Sequence, residues 1–327
     1  MKAIVVNKDK SLSWISVKDP VMSDEDVLLR IEYAALNRAD LMQRAGDYPP
    51  PSGAPEWMGL EVSGVIEDIG ETARKKCEFR IGDKVCALLG GGGYAEYVAV
   101  RYDMVMPIPS GFTMAEAAAL PEALCTSYLN LFIEGNGKEG ETFLMQAGAS
   151  GLASVAIPLA KAFGMRVITT VRGEGKIKRI KPLGADIIVD TTKEDITEVL
   201  KEQIVINKPV NVVMDCVGGS RMGDCLPFLA KGARWIMIAA LAGNLTTIDL
   251  KNIYIRNIRI IGSTLRSRTP EFKARLISEI VQLVYPKYDE GMQKPMIYSI
   301  LPIVQAEEAH GILENNKNTG KVVLKVR

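Results

Sequence analysis

The segment 141–164, ETFLMQAGASGLASVAIPLAKAFG, carries the strongest chemical signal in the chain. An apolar run leads into the small-residue loop Ala147-Gly148-Ala149-Ser150-Gly151, and Leu152 then opens a stretch with helical spacing. Glycines at such a turn let the backbone approach a pyrophosphate, and the helix N-terminus offers unpaired N–H groups and the positive end of its dipole. The fingerprint G-x-G-x-x-G is not met, because the glycines are Gly148 and Gly151 and Ala153 follows. Alone, the loop can also be read as a tight strand-to-helix turn. The alternation of strands and helices around it is what favours a dinucleotide.

The next apolar run, RVITTV, continues into VRGEGKIKRIK. NAD sites usually place an acid near the end of this strand to hold the ribose 2′-OH. Here Arg172 and Lys176 stand there instead, and two cations suit a 2′-phosphate, so the pattern predicts NADP(H) over NAD(H). Glu174 between them counts the other way. A solvated basic helix face is the alternative, and Lys178, Arg179 and Lys181 read as one. The chain has 5 cysteines, scattered and without a CxxC pair, and a single histidine, His310. Reduced thiols in a cytoplasmic protein are the simpler reading than disulfides, and a zinc site built from soft ligands is not expected. Cys125 and Cys216 are candidate reactive thiols, with a buried, inert role as the plainer alternative. His310 lies in EEAHGIL, where a structural role on an amphipathic helix is expected.

The elements that must position these residues follow from length and texture. A chain of 327 residues fits about two domains. Hydrophobic residues make up 47% and charged residues 24%, an ordinary globular balance. The net charge of +1 argues against nucleic acid or a membrane surface as main partner. The apolar run from Trp235 to Gly243 is far shorter than the roughly 18 residues of a membrane span. The N-terminal AIVV reads as a strand rather than a signal peptide.

Up to about residue 110, short β-type runs (AIVV, VLLRI, VSGVIEDIG, DKVCALL, YAEYVAV) are separated by YPPPSGAP and GGGG. They predict a compact, mostly antiparallel or barrel-like domain. From Met114 the segment MAEAAALPEALCTSYLNLF reads as helix, reset at Pro121. Apolar runs ETFLMQA, RVITTV, ADIIVD, VNVVMDCV, RWIMIAA and IRIIGST then alternate with helical segments at 153–163, 175–183, 192–203 and 221–230. This is the pattern of a parallel sheet covered on both faces and joined by right-handed crossovers. A helix over 271–285 and a strand-like KVVLKV close the chain. This tail is expected to return to the N-terminal domain, giving domains of 1–120 with 265–327 and of 121–264.

Taken in order and spacing, AALNRADLMQRAGDYPPP, MGLEVSGVIEDIG, RIGDKVCALLGGGGYAEY, PEALCTSYLNLF, QAGASGLASVAI, DCVGG, STLRSR and NKNTGKVVLKV resemble the quinone oxidoreductases of the medium-chain dehydrogenase/reductase superfamily over essentially the full length. The resemblance implies an α/β chain: a Rossmann-type doubly wound parallel sheet plus a GroES-like, mostly β, discontinuous catalytic domain. It implies NADPH as cofactor, a small quinone-like acceptor, and a homodimer or dimer of dimers joined along the sheet edges through IRIIGST. Zinc alcohol dehydrogenases share the fold, but their zinc takes a Cys in the loop occupied here by Asn37-Arg38-Ala39-Asp40 and a His in the motif that here reads Gly59-Leu60-Glu61. Leu60 cannot bind a metal, so no metal is expected.

The resemblance also assigns roles. Asn37 and Tyr48 would sit near the nicotinamide and the acceptor, with Asp40 ordering the loop. Thr126 and Tyr128 would lie near the cofactor. Ser150, Gly151 and Lys176 match the pyrophosphate and 2′-phosphate contacts; Gly148, Ala149 and Leu152 complete the same loop, and Arg172 joins Lys176 on the reading of the residues themselves. Asp215, Val217 and Gly218 would follow a strand at the ligand-binding edge, and Leu265, Arg266 and Ser267 with Asn318 would complete the clamp. Structural readings stand beside several of these: Tyr48 as a packing residue before the prolines, Asn37 as a turn former, Asp215 as a partner for backbone donors. The chain departs from the family pattern at Ala153, Arg172, Gly173, Thr191 and in AALAGN. The implied chemistry is hydride or electron transfer to a quinone. The alternatives are reduction of an activated C=C bond, or an NADPH-binding structural or RNA-binding role with little turnover.

Overall fold

A computed structural model describes the whole chain, residues 1–327. The polypeptide forms two compact units, Met1–Cys125 with Arg266–Arg327, and Thr126–Leu265.

The first unit opens with strands β1 (Lys2–Val6), β2 (Leu12–Ser16), β3 (Asp26–Ala35), β4 (Glu61–Ile69), β5 (Lys84–Leu88), β6 (Tyr97–Arg101) and β7 (Val105–Pro107). In β3 the alternation of DVLLRIEYAA sends Val27, Leu29 and Ile31 into the core, all fully buried. A two-stranded antiparallel pair, β1–β2, stands apart from the main sheet.

The second unit supplies β8 (Thr142–Met145), β9 (Arg166–Val171), β10 (Ile187–Asp190), β11 (Val210–Asp215), β12 (Leu229–Met237) and β13 (Arg259–Gly262). All are parallel, in the order β10-β9-β8-β11-β12-β13. The chain winds outward from β8 to one side, then returns beside it at β11 and winds outward to the other. The reversal between β8 and β11 is a topological switch point, where open α/β sheets bind ligands outside the carboxyl ends of their strands. The central strands carry apolar runs rather than strict alternation: Phe143, Leu144, Met145, Val167, Ile168, Val212, Val213 and Trp235 are all fully buried.

The tail adds β14 (Ile297–Pro302) and β15 (Lys321–Lys325) to the first unit. Its main sheet runs β14-β15-β3-β4-β5-β7, with β6 also pairing β3. β15 runs antiparallel to β3, so Val323 lies opposite Ala35. The β14–β15 pair is parallel, an exception in an otherwise antiparallel sheet.

Several helices differ from their sequence-based bounds for local reasons. The segment 192–203 becomes a helix only at Ile196–Val205, because Asp195 caps it by accepting from Thr197 N–H at 3.0 Å. The segment 221–230 yields only Arg221–Cys225 before a tight turn at Leu226–Phe228, since Pro227 lacks the N–H an α-helix needs and β12 begins at Leu229. The long apolar segment from Met114 divides into Met114–Ala118 and Pro121–Tyr128, with Pro121 at the first helical position. The helix over 271–285 spans Pro270–Leu283, and a short second helix, Tyr285–Asp289, follows.

Candidate active site

In the second unit, the loop after β8 and the loop after β11 flank the switch point. Gly148 packs directly on β9: its N–H donates to Thr170 O at 2.7 Å, and a Cβ there would come within 2.2 Å of Thr169 Oγ1. Ala147 takes a positive φ of 57° and donates its N–H to Thr170 Oγ1 at 3.1 Å. Ser150 Oγ accepts from Ala153 N–H at 3.1 Å at the start of the helix Ala153–Ala162, and Gly151 O accepts from Ser154 Oγ at 2.7 Å. Thus Gly148, Ala149, Ser150, Gly151 and Leu152 form a close-packed turn that opens a helix at the sheet's ligand edge.

After β9, Arg172 is exposed and Lys176 half-buried on the helix Glu174–Ile180. Glu174, the acid among these cations, pairs with Lys193 at 2.9 Å, which offsets its charge. Gly173, at φ 92°, donates its N–H to Asp190 Oδ1 at 2.9 Å. Asp190 also accepts from the Thr192 hydroxyl at 2.7 Å, and these donors hold its carboxyl below the usual range. Sequence reasoning missed Asp190; its signal was an acid ending an apolar strand.

Beyond β11, Asp215 Oδ1 accepts from Val217 N–H at 2.7 Å and Gly218 N–H at 3.0 Å, and Oδ2 accepts from Trp235 Nε1 at 3.0 Å. Burial raises this carboxyl above its ordinary value while these donors pull it back. Asp215 therefore shapes the turn that carries Val217 and Gly218. Tyr128 is buried in an aromatic run with Phe132 at 5.2 Å, and Phe132 meets Phe163 at 4.8 Å. Thr126 accepts at its carbonyl from Asn130 Nδ2 at 2.7 Å, and Leu265 is buried at the end of the unit.

In the first unit, Asn37 precedes the helix Arg38–Ala45 and Asp40 sits one turn in. Asp40 is buried and accepts from Asn37 N–H at 2.7 Å, Gly59 N–H at 3.0 Å and Tyr94 OH at 3.1 Å. Burial pushes its carboxyl up to about 6 despite those donors. The Asn37 amide is held at both ends: Nδ2 donates to Glu61 Oε1 at 3.0 Å and Oδ1 accepts from Lys321 Nζ at 2.9 Å. Lys321 also donates to Leu36 O at 3.0 Å and forms a buried ion pair with Glu61, whose Oε2 accepts from Glu122 N–H at 2.9 Å. Glu61 and Lys321 were missed as site residues; a lysine heading the apolar run VVL was the available signal.

Tyr48 is half-buried, and burial raises its phenol above the ordinary value while Arg266 pulls it down. The Arg266 guanidinium lies 5.0 Å from the Tyr48 ring centroid and donates to Tyr48 O at 3.1 Å. Ser267 is exposed beside Arg266. Asn318 donates its Nδ2 to Gly320 O at 2.8 Å, ordering the turn into β15. The structure thus gathers Asn37 with Glu61 and Lys321, and Tyr48 with Arg266. Cys125 is fully buried and its thiol is pushed well above its ordinary range, the condition of an inert thiol. Cys216 is buried too and donates its thiol to Gln146 O at 3.8 Å.

Two groups implied by this architecture can be tested against these residues. For zinc the donor set does not fit: Leu60 is buried and apolar, and the Lys321 ammonium already engages Asn37 Oδ1 and Glu61. A cation packed against these oxygens would repel a metal ion. A dinucleotide fits the second unit, where the Gly148 turn leaves no room for a side chain and leads into a helix N-terminus.

Residues 23–110 match the alcohol dehydrogenase GroES-like domain, and residues 151–282 match the zinc-binding dehydrogenase family. A quinone oxidoreductase-like protein 2 homolog of Nematostella vectensis is 29% identical over 310 residues, covering 94% of this chain and 83% of the relative. A solved NAD-dependent alcohol dehydrogenase is 29% identical, with a TM-score of 0.86 and 100% of both chains covered. The quinone oxidoreductase of Thermus thermophilus, solved also in complex with NADPH, is 28% identical, with a TM-score of 0.81 and 100% of both chains covered. The chain belongs to the medium-chain dehydrogenase/reductase superfamily, on its quinone oxidoreductase-like branch.

Proposed function

We propose that this chain is an NADPH-dependent reductase of quinone-like acceptors that works without zinc. The observation that carries this reading is the Lys321 ammonium bound to Asn37 Oδ1 at 2.9 Å and paired with buried Glu61, in a loop whose zinc-dependent counterparts hold metal ligands. A site without a Lewis acid suits an acceptor that is already electrophilic, and a quinone is one. NADPH rather than NADH is supported by Arg172 and Lys176 after β9 and by the pairing of Glu174 with Lys193. The NAD-dependent relative argues the other way, and this chain's own cations outweigh it because the acid an NAD site needs is engaged elsewhere.

Bound NADPH supplies the hydride. The turn Gly148–Leu152 would hold its pyrophosphate, and Arg172 and Lys176 its 2′-phosphate. Within the second unit, Thr126, Tyr128, Val217, Gly218 and Leu265 would line the rest, with Asp215 fixing the turn. The Tyr48 phenol donates a hydrogen bond to the acceptor oxygen as negative charge develops there. Asn37, fixed by Glu61 and Lys321, presents its remaining amide N–H to the same oxygen. Final protonation comes from water.

NADPH oxidation followed with a quinone, with an enone and with no acceptor tests the reading. It stands if the quinone alone gives fast turnover. Preference for the enone makes the chain a C=C reductase, and no turnover with either leaves a binding protein. Electron paramagnetic resonance during turnover separates semiquinone release from two-electron reduction.

We further propose a homodimer along β13, an edge strand that carries the half-exposed Ile260 next to exposed Tyr254 and Ile255. Light scattering of the pure protein tests this, and a monomer overturns it. No helix is long and apolar enough to cross a membrane. The free cysteines suit a reducing cytoplasm.

A further inference from the structure

We propose that Arg266 is a positioning residue for Tyr48, locking the phenol in place from beneath its ring and strengthening it as a hydrogen-bond donor to the acceptor. The proposal rests on the reading of Tyr48 as the group that meets the acceptor oxygen, and it moves Arg266 from cofactor contact to support of the reacting end.

Arg266 is 6% exposed, an unusual state for an arginine without a carboxylate partner. All of its hydrogen bonds go to neutral oxygens: Nη1 to Tyr48 O at 3.1 Å, Nη2 to Gln43 Oε1 at 2.7 Å, and Nη2 and Nε to Gly90 O at 2.8 and 3.0 Å. One planar fork thus ties the helix end at Gln43, the backbone of Tyr48 and the loop after β5. The face of the same fork covers the Tyr48 ring at 5.0 Å, within cation–π range.

The segment held in this way has little else to order it. The helix ends at Gly46, in the left-handed region with φ 94°, and the chain then runs into Pro49, Pro50 and Pro51, which have no N–H to donate. The position of the phenol therefore depends on Arg266. The Asp40 and Glu122 carboxylates act on the guanidinium without forming an ion pair, and Glu122 opposes it at the phenol; the guanidinium still pulls the phenol down and favours charge building up beyond it. Lysine cannot replace these functions together, since an ammonium is a point donor that neither forks in a plane nor stacks.

Lys273 donates its Nζ to Arg266 O at 2.8 Å, fixing the backbone of the arginine from the following helix. The arginine is thus anchored at both its backbone and its guanidinium by the protein's own groups. This is the arrangement expected of a support that must hold a neighbouring ring still.

The test uses the full-length protein with Arg266→Lys, Arg266→Gln, Tyr48→Phe and the Arg266→Lys/Tyr48→Phe double variant, each checked for folding by circular dichroism. Arg266→Lys is expected to lower kcat/KM for quinone roughly 2- to 15-fold, with NADPH Kd nearly unchanged, as for Tyr48→Phe. The double variant should lose no more than Tyr48→Phe alone, because both changes remove one unit of function. Additive losses overturn the proposal, and so does a tenfold or larger rise in NADPH Kd in Arg266→Lys, which would make Arg266 a cofactor contact.

A second readout does not depend on turnover. In protein labelled with 3-fluorotyrosine, the Tyr48 fluorine resonance is the one of 10 tyrosines that Tyr48→Phe removes. Its titration should move to higher pH in Arg266→Gln. If Tyr48→Phe leaves quinone turnover intact, the functional reading of Tyr48 fails, and the titration alone decides on Arg266: a shift supports positioning, and an unmoved resonance overturns it.

Discussion

Tyr48 is half-buried, and in the proposed mechanism it would offer the acceptor one neutral hydrogen bond, which sets the size of its effect. Such a bond is worth about 0.5–1.5 kcal/mol, so Tyr48→Phe should lower kcat/KM for quinone roughly 2- to 15-fold while NADPH affinity holds. Steady-state kinetics check this. A loss of ~10,000-fold would instead make the phenol an obligatory proton donor, since it equals the upper end of what general acid catalysis contributes. Asn37→Ala should cost more than Tyr48→Phe, because it also leaves Lys321 and Glu61 without their shared amide partner. At the other end of the proposed cofactor, Lys176→Ala should raise NADPH Kd roughly 10-fold and leave NADH nearly unaffected, the loss of one charge-assisted contact of about 1.5–3 kcal/mol. Titration with both cofactors decides it: equal weakening would mean that Lys176 belongs to the solvated helix face.

The turn after β8 works as an element, and its constraint is packing. A Cβ at Gly148 would meet Thr169 Oγ1 at 2.2 Å and Cγ2 at 2.9 Å, so Gly148→Ala must push either the loop or β9. Overpacking of this kind costs about 1–3 kcal/mol, which thermal unfolding would register as a lowered Tm. Thr169→Ala removes both of those atoms, so the double variant should recover part of the loss. If Gly148→Ala alone leaves Tm and cofactor affinity unchanged, the loop is not pinned to β9. The sequence made this element legible, since an apolar run, two glycines and helical spacing are local features, and the parallel sheet follows from the same kind of run repeated. Helix starts were less legible. The turn at Asp190–Asp195 and the stop at Pro227 depend on which side chain captures which backbone group. Least legible was the partnership of Asn37 with Lys321, which are 284 positions apart and brought together only when β15 pairs with β3. The hydrogen bonds of Arg266 to the protein itself were likewise hidden, because its type suggested a ligand contact, whereas an acid ending a strand already suggested that Asp215 could serve backbone donors.

At the scale of the whole molecule, two buried groups set opposing dependences of stability on pH. His310 is fully buried against Tyr94, its ring nitrogens lack hydrogen-bond partners, and burial with help from Arg44 lowers its pKa from 6.5 to about 4, Glu307 opposing. Between those values the unfolded chain takes up a proton that the folded one refuses, so this contribution is complete above 6.5 and is lost as pH falls. Asp40 has the opposite sign. Its carboxyl is raised from 3.8 to about 6, so between those values the folded chain holds the extra proton, and the contribution is lost as pH rises. Each slope is at most about 1.4 kcal/mol per pH unit, and the two nearly cancel where their windows overlap. Single variants should expose them. His310→Leu removes a buried ring with unmet polar atoms, so relative to the parent it should gain stability steadily as pH falls from about 6.5 to 4. Asp40→Asn should instead gain relative to the parent as pH rises from about 4 to 6, whatever fixed loss the altered cap imposes. Urea unfolding at several pH values measures both differences. Two flat difference curves would mean that neither group titrates away from its ordinary pKa in the folded protein, and that the orphaned ring of His310 meets water after all.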